Sequence, residues 1–191
     1  MKTLHYVLVG RHLTGDSEIQ FFHTRKEAVR FFKAQTSPLL EICYTNKLEE
    51  DEVYSFNEDK SAVRFDSGYD DELDSLLGEC NHYFYLGATN VEDDVTHYVA
   101  DFSEWVDEST VEFFNEQRAN EAWNERVDRE IQNASEYEGA DINREDESTW
   151  ETEDGMTLFQ ETHHSDMYSD AYFGAAEDLT WTFRVGQIIF N

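Results

Sequence analysis

The first 48 residues alternate short apolar runs with one amphipathic stretch, a pattern that predicts a β-β-α-β order. Residues 4–9 (LHYVLV) and 19–22 (IQFF) read as strands separated by a glycine-containing loop. A helix follows. Thr24 and Glu27 form a capping box, Ala28, Val29, Phe31 and Phe32 line an apolar face, and Ser37-Pro38 predicts its end. The run at 39–44 (LLEICY) then predicts a third strand.

Further along, residues 53–56 and 62–65 suit a short hairpin after the acidic loop Glu49 to Glu52. Asp70 is placed to cap a helix whose buried face is Leu73, Leu76 and Leu77, with Gly78 at its end, and residues 81–86 read as a strand. Residues 91–137 predict helix, with a second capping box at Ser109 and Glu112. The apolar stripe there changes phase, from Phe102, Val106 and Phe113 to Ala119, Trp123, Val127, Ile131 and Ala134, so two helices or one kinked helix are expected. Residues 138–156 lack periodicity and predict an exposed loop. Residues 157–160 suit a strand, and the alternation of Leu179, Trp181, Phe183 and Val185 gives the clearest one in the chain. No internal repeat is evident.

The expected fold class is therefore α+β, with an N-terminal β-β-α-β module, an acidic helical middle and C-terminal antiparallel strands. The boundaries fall at 1–48, 49–90, 91–137, 138–156 and 157–191, the last segment packing with the N-terminal module as one globular unit. With 14 Phe, 10 Tyr and 4 Trp in 191 residues, the chain has side chains enough for a real core.

Charge changes the picture. Against 14 Lys and Arg stand 43 Asp and Glu, a formal net charge of -29. Residues 1–48 carry 7 basic and 4 acidic residues, while 49–191 carry 7 and 39. Such a surface repels phosphates, which excludes direct nucleic-acid binding and an anionic membrane surface; the attractive partner is a basic protein. The net positive first segment leaves a homodimer contact open. Cys43 and Cys80 have neither CxxC nor zinc-ligand spacing and read as free thiols in a reducing compartment. The N-terminal apolar run is too short for a signal segment and no stretch reaches membrane-span length, so a soluble, cytoplasmic protein is expected, in a host cytoplasm if phage-encoded.

The sharpest acidic pattern is Asp101, Glu104, Glu108, Glu112 and Glu116, spaced by three or four residues and so expected to stack on one face of a helix without partner cations. Together with Asp70, Asp71, Glu72 and Asp74 and with Glu92, Asp93 and Asp94, it forms the candidate surface for imitating duplex phosphates. At one charge per 1.7 Å of duplex, 29 excess charges match about 50 Å. The compact size and the acid-only stripe resemble the DNA-mimic proteins that phages and mobile elements use against restriction, CRISPR or DNA-repair enzymes. That resemblance is of composition, without a family motif, and implies an inhibitor of a basic DNA- or RNA-binding protein.

Three other readings compete. Acidic immunity proteins that neutralise basic nucleases share the same physics. Halophilic adaptation also produces acidic surfaces, although the net positive first segment argues against a chain-wide pressure. Carboxylates also bind divalent metals, but neither DSGYDDELDS nor NVEDDVTH has the spacing of a calcium loop, and the adjacent His163 and His164 point to opposite faces of a strand. The chain carries no GxSxG, P-loop, HExxH or Rossmann glycine pattern, so neither catalytic residues, nor a cofactor, nor a metal site is assigned.

Overall fold

The computed structural model describes residues 1–11, 18–50, 52–66, 71–77, 82–103, 109–138, 148–151, 157–165, 167–175 and 178–191. The fold is α+β, as expected, and divides into two compact units: residues Met1–Glu92 with Ile189–Asn191, and residues Asp93–Ile188. The C-terminal strands belong to the second unit, and only the last three residues belong to the first.

In the first unit, β1 (Lys2–Arg11) pairs with β2 (Glu18–Phe22), and α1 (Arg25–Asn46) follows. Next come β3 (Tyr54–Phe56), β4 (Ala62–Phe65), the short α2 (Asp71–Leu77) and β5 (His82–Val91). The sheet runs β2-β1-β5-β4-β3, and every pair is antiparallel. The capping box at Thr24 and Glu27 forms as the sequence indicates: Glu27 N–H donates to Thr24 Oγ1 at 3.3 Å, and Thr24 N–H donates to the Glu27 carboxylate at 3.0 Å. Ala28, Phe32 and Cys43 of α1 enter a core with Val7, Val9, Phe22, Phe65 and Phe84. Cys43 is a buried free thiol.

The strand expected at 39–44 is instead helix. α1 runs through Pro38 to Asn46, and the β-β-α-β order is completed by β3. Proline removes one backbone donor. Pro38 is exposed, whereas Leu39, Leu40, Ile42 and Cys43 beyond it pack into the core, and that burial holds the helix together.

The second unit begins with β6 (His97–Ser103), β7 (Thr110–Phe114) and α3 (Glu116–Glu138). β8 (Ser148–Glu151), β9 (Thr157–His164), β10 (Tyr168–Ala175) and β11 (Asp178–Gln187) complete it, in the order β7-β6-β11-β10-β9-β8. The expectation of helix throughout 91–137 is corrected here, since β6 and β7 occupy its first half. Ser109 precedes β7 and Glu112 lies within it, so no capping box forms there. Residues 148–151 are strand rather than loop. The second core gathers Val99, Ala119, Trp123, Val127, Ala171, Phe183 and Val185.

The two units share a plan, with five strands in one sheet and six in the other, which the sequence reading did not detect. Each opens with a hairpin, crosses over through a helix, enters at the far edge and returns to place its last strand beside its first. Registers agree residue by residue. Tyr6 stands between Phe21 and Gly87, and Tyr98 between Phe113 and Gly186. In both, the tyrosine ring lies so close over the glycine that a Cβ could not be added without displacing it; at Gly186 a Cβ would meet the Tyr98 ring at 2.8 Å. Burial pushes both phenols up to about 12. The helices also match. Ala28, Phe32 and Thr36 follow the Thr24 cap at the same intervals as Ala119, Trp123 and Val127 follow Asn115, and all six are buried.

Candidate partner-binding surface

α3 is held by its apolar side. Asn115 caps it by accepting from Arg118 N–H at 3.0 Å, and Ala119, Ala122, Trp123 and Val127 sink into the second core. The opposite side presents Glu121, Glu125 and Asp128 to solvent, with Arg118 and Arg129 interspersed, and Glu116 is exposed at the helix start. Arg118 Nη1 lies 3.3 Å from Glu121 and 3.3 Å from Glu125, one cation serving two carboxylates. Pairs this exposed are screened by solvent and add little to stability. Hydrogen bonds from Gln117 and then Arg118 hold the Glu121 carboxyl below its ordinary range.

Under α3 the surroundings differ. Asp101 on β6 is half-buried, and burial pushes its carboxyl up to about 6, although Arg126 pulls the other way. Asp101 Oδ1 and Arg126 Nη1 are both buried without a hydrogen-bond partner. The Arg126 guanidinium instead donates to Glu112 on β7. A second, well-satisfied ion pair crosses β10 and β11, where Arg184 donates to both oxygens of the buried Asp170 at 2.6 and 2.9 Å. That guanidinium lies 5.4 Å from the Phe102 ring centre and 5.0 Å from that of Tyr168.

The acid-only helical stripe is overturned. Asp101 lies on β6, Glu112 on β7 and Glu116 at the start of α3, so the regular spacing joins three different elements. Glu104 and Glu108 lie outside the described residues, as does Asp70. Glu112 pairs with Arg126 and is not the free carboxylate the stripe required. Glu72 is exposed on α2, which also carries Asp71 and Asp74, and Glu92, Asp93 and Asp94 are exposed at the turn between β5 and β6. The sequence reading missed Glu121, Glu125 and Asp128. Their signal lay in the apolar stripe through Ala119, Trp123 and Val127, whose complement they are.

The acids are also unequally shared. The first unit has 9 basic and 17 acidic residues, net -8; the second has 5 and 26, net -21. Among the described residues no group of three or more His, Cys, Asp or Glu is placed to hold a metal ion, and no helix is long and apolar enough to cross a membrane. His163 and His164 are exposed on β9, where His164 Nδ1 meets Ser169 Oγ at 2.9 Å. Comparison with protein-family models, with curated proteins and with solved structures finds no match to this chain.

Proposed function

We propose that this protein is a non-catalytic inhibitor that imitates nucleic-acid phosphates and blocks the basic groove of a DNA- or RNA-binding protein, such as a restriction or CRISPR effector or a DNA-repair enzyme. The observation that carries the reading is the charge of the second unit, 26 acids against 5 bases on a plan shared with the first, which holds 17 and 9. A shared fold does not require that difference, so it reflects a demand on the surface of one unit. α3 supplies the rigid part of that surface. Its buried face fixes the backbone, and Glu121, Glu125 and Asp128 then stand at about 6 Å and about 4.5 Å intervals along one side.

A field of this sign accelerates docking with a cationic cleft and makes the association steeply salt-dependent. Immobilised protein is expected to capture a basic nucleic-acid-binding partner from host lysate, and the captured partner to lose its nucleic acid in a gel-shift competition. Glu121, Glu125 and Asp128 changed together to Lys should weaken capture at least tenfold while circular dichroism stays unchanged. A captured partner that binds its nucleic acid fully while complexed would sink the proposal.

A further inference from the structure

The net charge conceals a cationic face. α1 carries Arg25, Lys26, Arg30 and Lys33 in its first three turns, all exposed, and among the described residues no carboxylate pairs with them. Helix stability does not account for this placement. The first turn of a helix is its positive end, so Arg25 and Lys26 stand against the macrodipole. The positions of α3 equivalent to Arg25 and Lys26 carry Glu116 and Gln117, with Arg118 beside them.

The two helix faces match in spacing as well as in sign. Lys26, Arg30 and Lys33 fall at i, i+4 and i+7 on α1; Glu121, Glu125 and Asp128 fall at i, i+4 and i+7 on α3. Two such stripes laid side by side, in either direction, bring each cation to within about 1.5 Å of register with an anion. We propose that the α1 face of one copy docks on the α3 face of a second copy, so that the protein associates with itself head to tail. The contact is heterologous, with unlike surfaces meeting, and leaves one face of each sort free at the ends of any open assembly. Arg118 already touches Glu121 and Glu125, and the incoming α1 cations add to a site where one guanidinium serves two carboxylates.

The surplus of negative charge on every copy gives this contact an unusual dependence on salt. At about 0.15 M the screening length is about 8 Å, so only charges near the contact act and opposite signs attract. At about 0.01 M it is about 30 Å, and whole molecules of charge -29 repel one another. At about 1 M the contact itself is screened. Self-association is therefore strongest at intermediate salt, whereas an apolar dimer would strengthen steadily with salt. The α3 face is the one assigned to a foreign basic partner, yet this contact needs no such partner, so its test stands apart from that of the proposed function.

Sedimentation equilibrium of the full chain, up to about 1 mM and at the three salt concentrations, tests the proposal. The expected result is a rising average mass that is largest near 0.15 M. K26E/R30E/K33E should be monomeric, and so should E121K/E125K/D128K. An equimolar mixture of these two variants should associate, because each offers the face the other lacks. Circular dichroism checks that both are folded, and the mixture controls for damage that charge reversal does elsewhere. A wild-type chain that is monomeric at all three salts overturns the proposal, as does a mixture no heavier than its components.

Discussion

The helices α1 and α3 occupy the same place in two units of like topology and present opposite faces to solvent. Both bury an alanine, an aromatic ring and a third residue at the same intervals from the cap: Ala28, Phe32 and Thr36 in one, Ala119, Trp123 and Val127 in the other. Both follow a Phe-Phe pair on the preceding strand, Phe21-Phe22 and Phe113-Phe114. The exposed positions diverge in charge, mostly toward Lys and Arg in the first turns of α1 and toward Asp and Glu on α3. Packing requirements therefore account for what the units share, and surface chemistry for what separates them. A charge difference carried mainly by exposed positions is the kind expected of a binding surface.

The buried side of this comparison is the most sensitive to damage. Phe32→Ala and Trp123→Ala are each expected to cost about 3–5 kcal/mol, since both remove a large ring from a core that can relax only in part. Denaturant titration measures the cost, and hydrogen exchange locates it. Protection should fall first in α1, β1 and β5 for the former, and in α3, β6 and β11 for the latter. If Trp123→Ala left α3 protected, the equivalence of the two rings would fail.

Much of this fold can be read from the chain, and the misreadings have physical causes. The start of α1, the β3-β4 hairpin, α2, β5, β11 and the apolar stripe of α3 all follow from capping, turns or periodicity. Residues 39–44 are ambiguous because a six-residue stretch with one acid, Glu41, satisfies either period, and Pro38 tips the reading toward strand. β6 was hidden for a different reason. Tyr98, Val99, Ala100 and Phe102 are all buried, which erases the alternation that marks a half-buried strand. With 43 acids in 191 residues, a series at three- and four-residue spacing arises from composition alone, and Asp101 to Glu116 was such a series. β10 carries Asp170 near its start, a residue depleted in strands, and only the cross-strand pairing with Arg184 shows why it is tolerated there. The repeat escaped because its identities are few and scattered: His-Tyr-Val at 5–7 and 97–99, and Phe-x-Leu-Gly at 84–87 against Phe-x-Val-Gly at 183–186. One unit also inserts α2 between its last two strands, and the other adds a strand at its far edge.

A smaller effect separates the two cores. Val9 on β1 and Asp101 on β6 hold equivalent registers, opposite Phe84 and Phe183. Burial raises the Asp101 carboxyl from 3.8 to about 6 in the folded protein. An acid whose folded pKa is raised destabilises the fold once ionised. The cost is absent below about pH 3.8, grows between there and about pH 6, and is complete above. Asp101→Asn removes it. The variant is expected to gain on the order of 2 kcal/mol over the wild type at pH 7, allowing for partial exposure, and to lose that advantage as the pH falls through 6 toward 4. Paired melts at pH 4, 5, 6 and 7 resolve the difference. An advantage that stayed constant with pH would place the carboxylate in water, and the contrast with Val9 would disappear.

The caps give the finest test, because here the two helices use different chemistry for one purpose. At α1, Thr24 Oγ1 accepts from Glu27 N–H while the Glu27 carboxylate accepts from Thr24 N–H, so two orphan donors are satisfied together. At α3, Asn115 Oδ1 accepts from Arg118 N–H, and the residue in the Glu27 position is Arg118, which cannot return the bond. Replacing Thr24 or Asn115 by Ala should cost about 1 kcal/mol in each case. Thr24→Ala should be the more harmful, since it also strands a carboxylate that its partner had oriented. The Arg118 side chain turns instead toward Glu121 and Glu125, the acidic face of α3. Arg118→Glu would therefore rebuild a capping box and, in the same step, remove a cation from that face. If stability rises and association with a basic partner strengthens together, Arg118 both costs α3 a cap interaction and neutralises part of its acidic face. A gain in stability without any change in association would leave the cap and the surface independent.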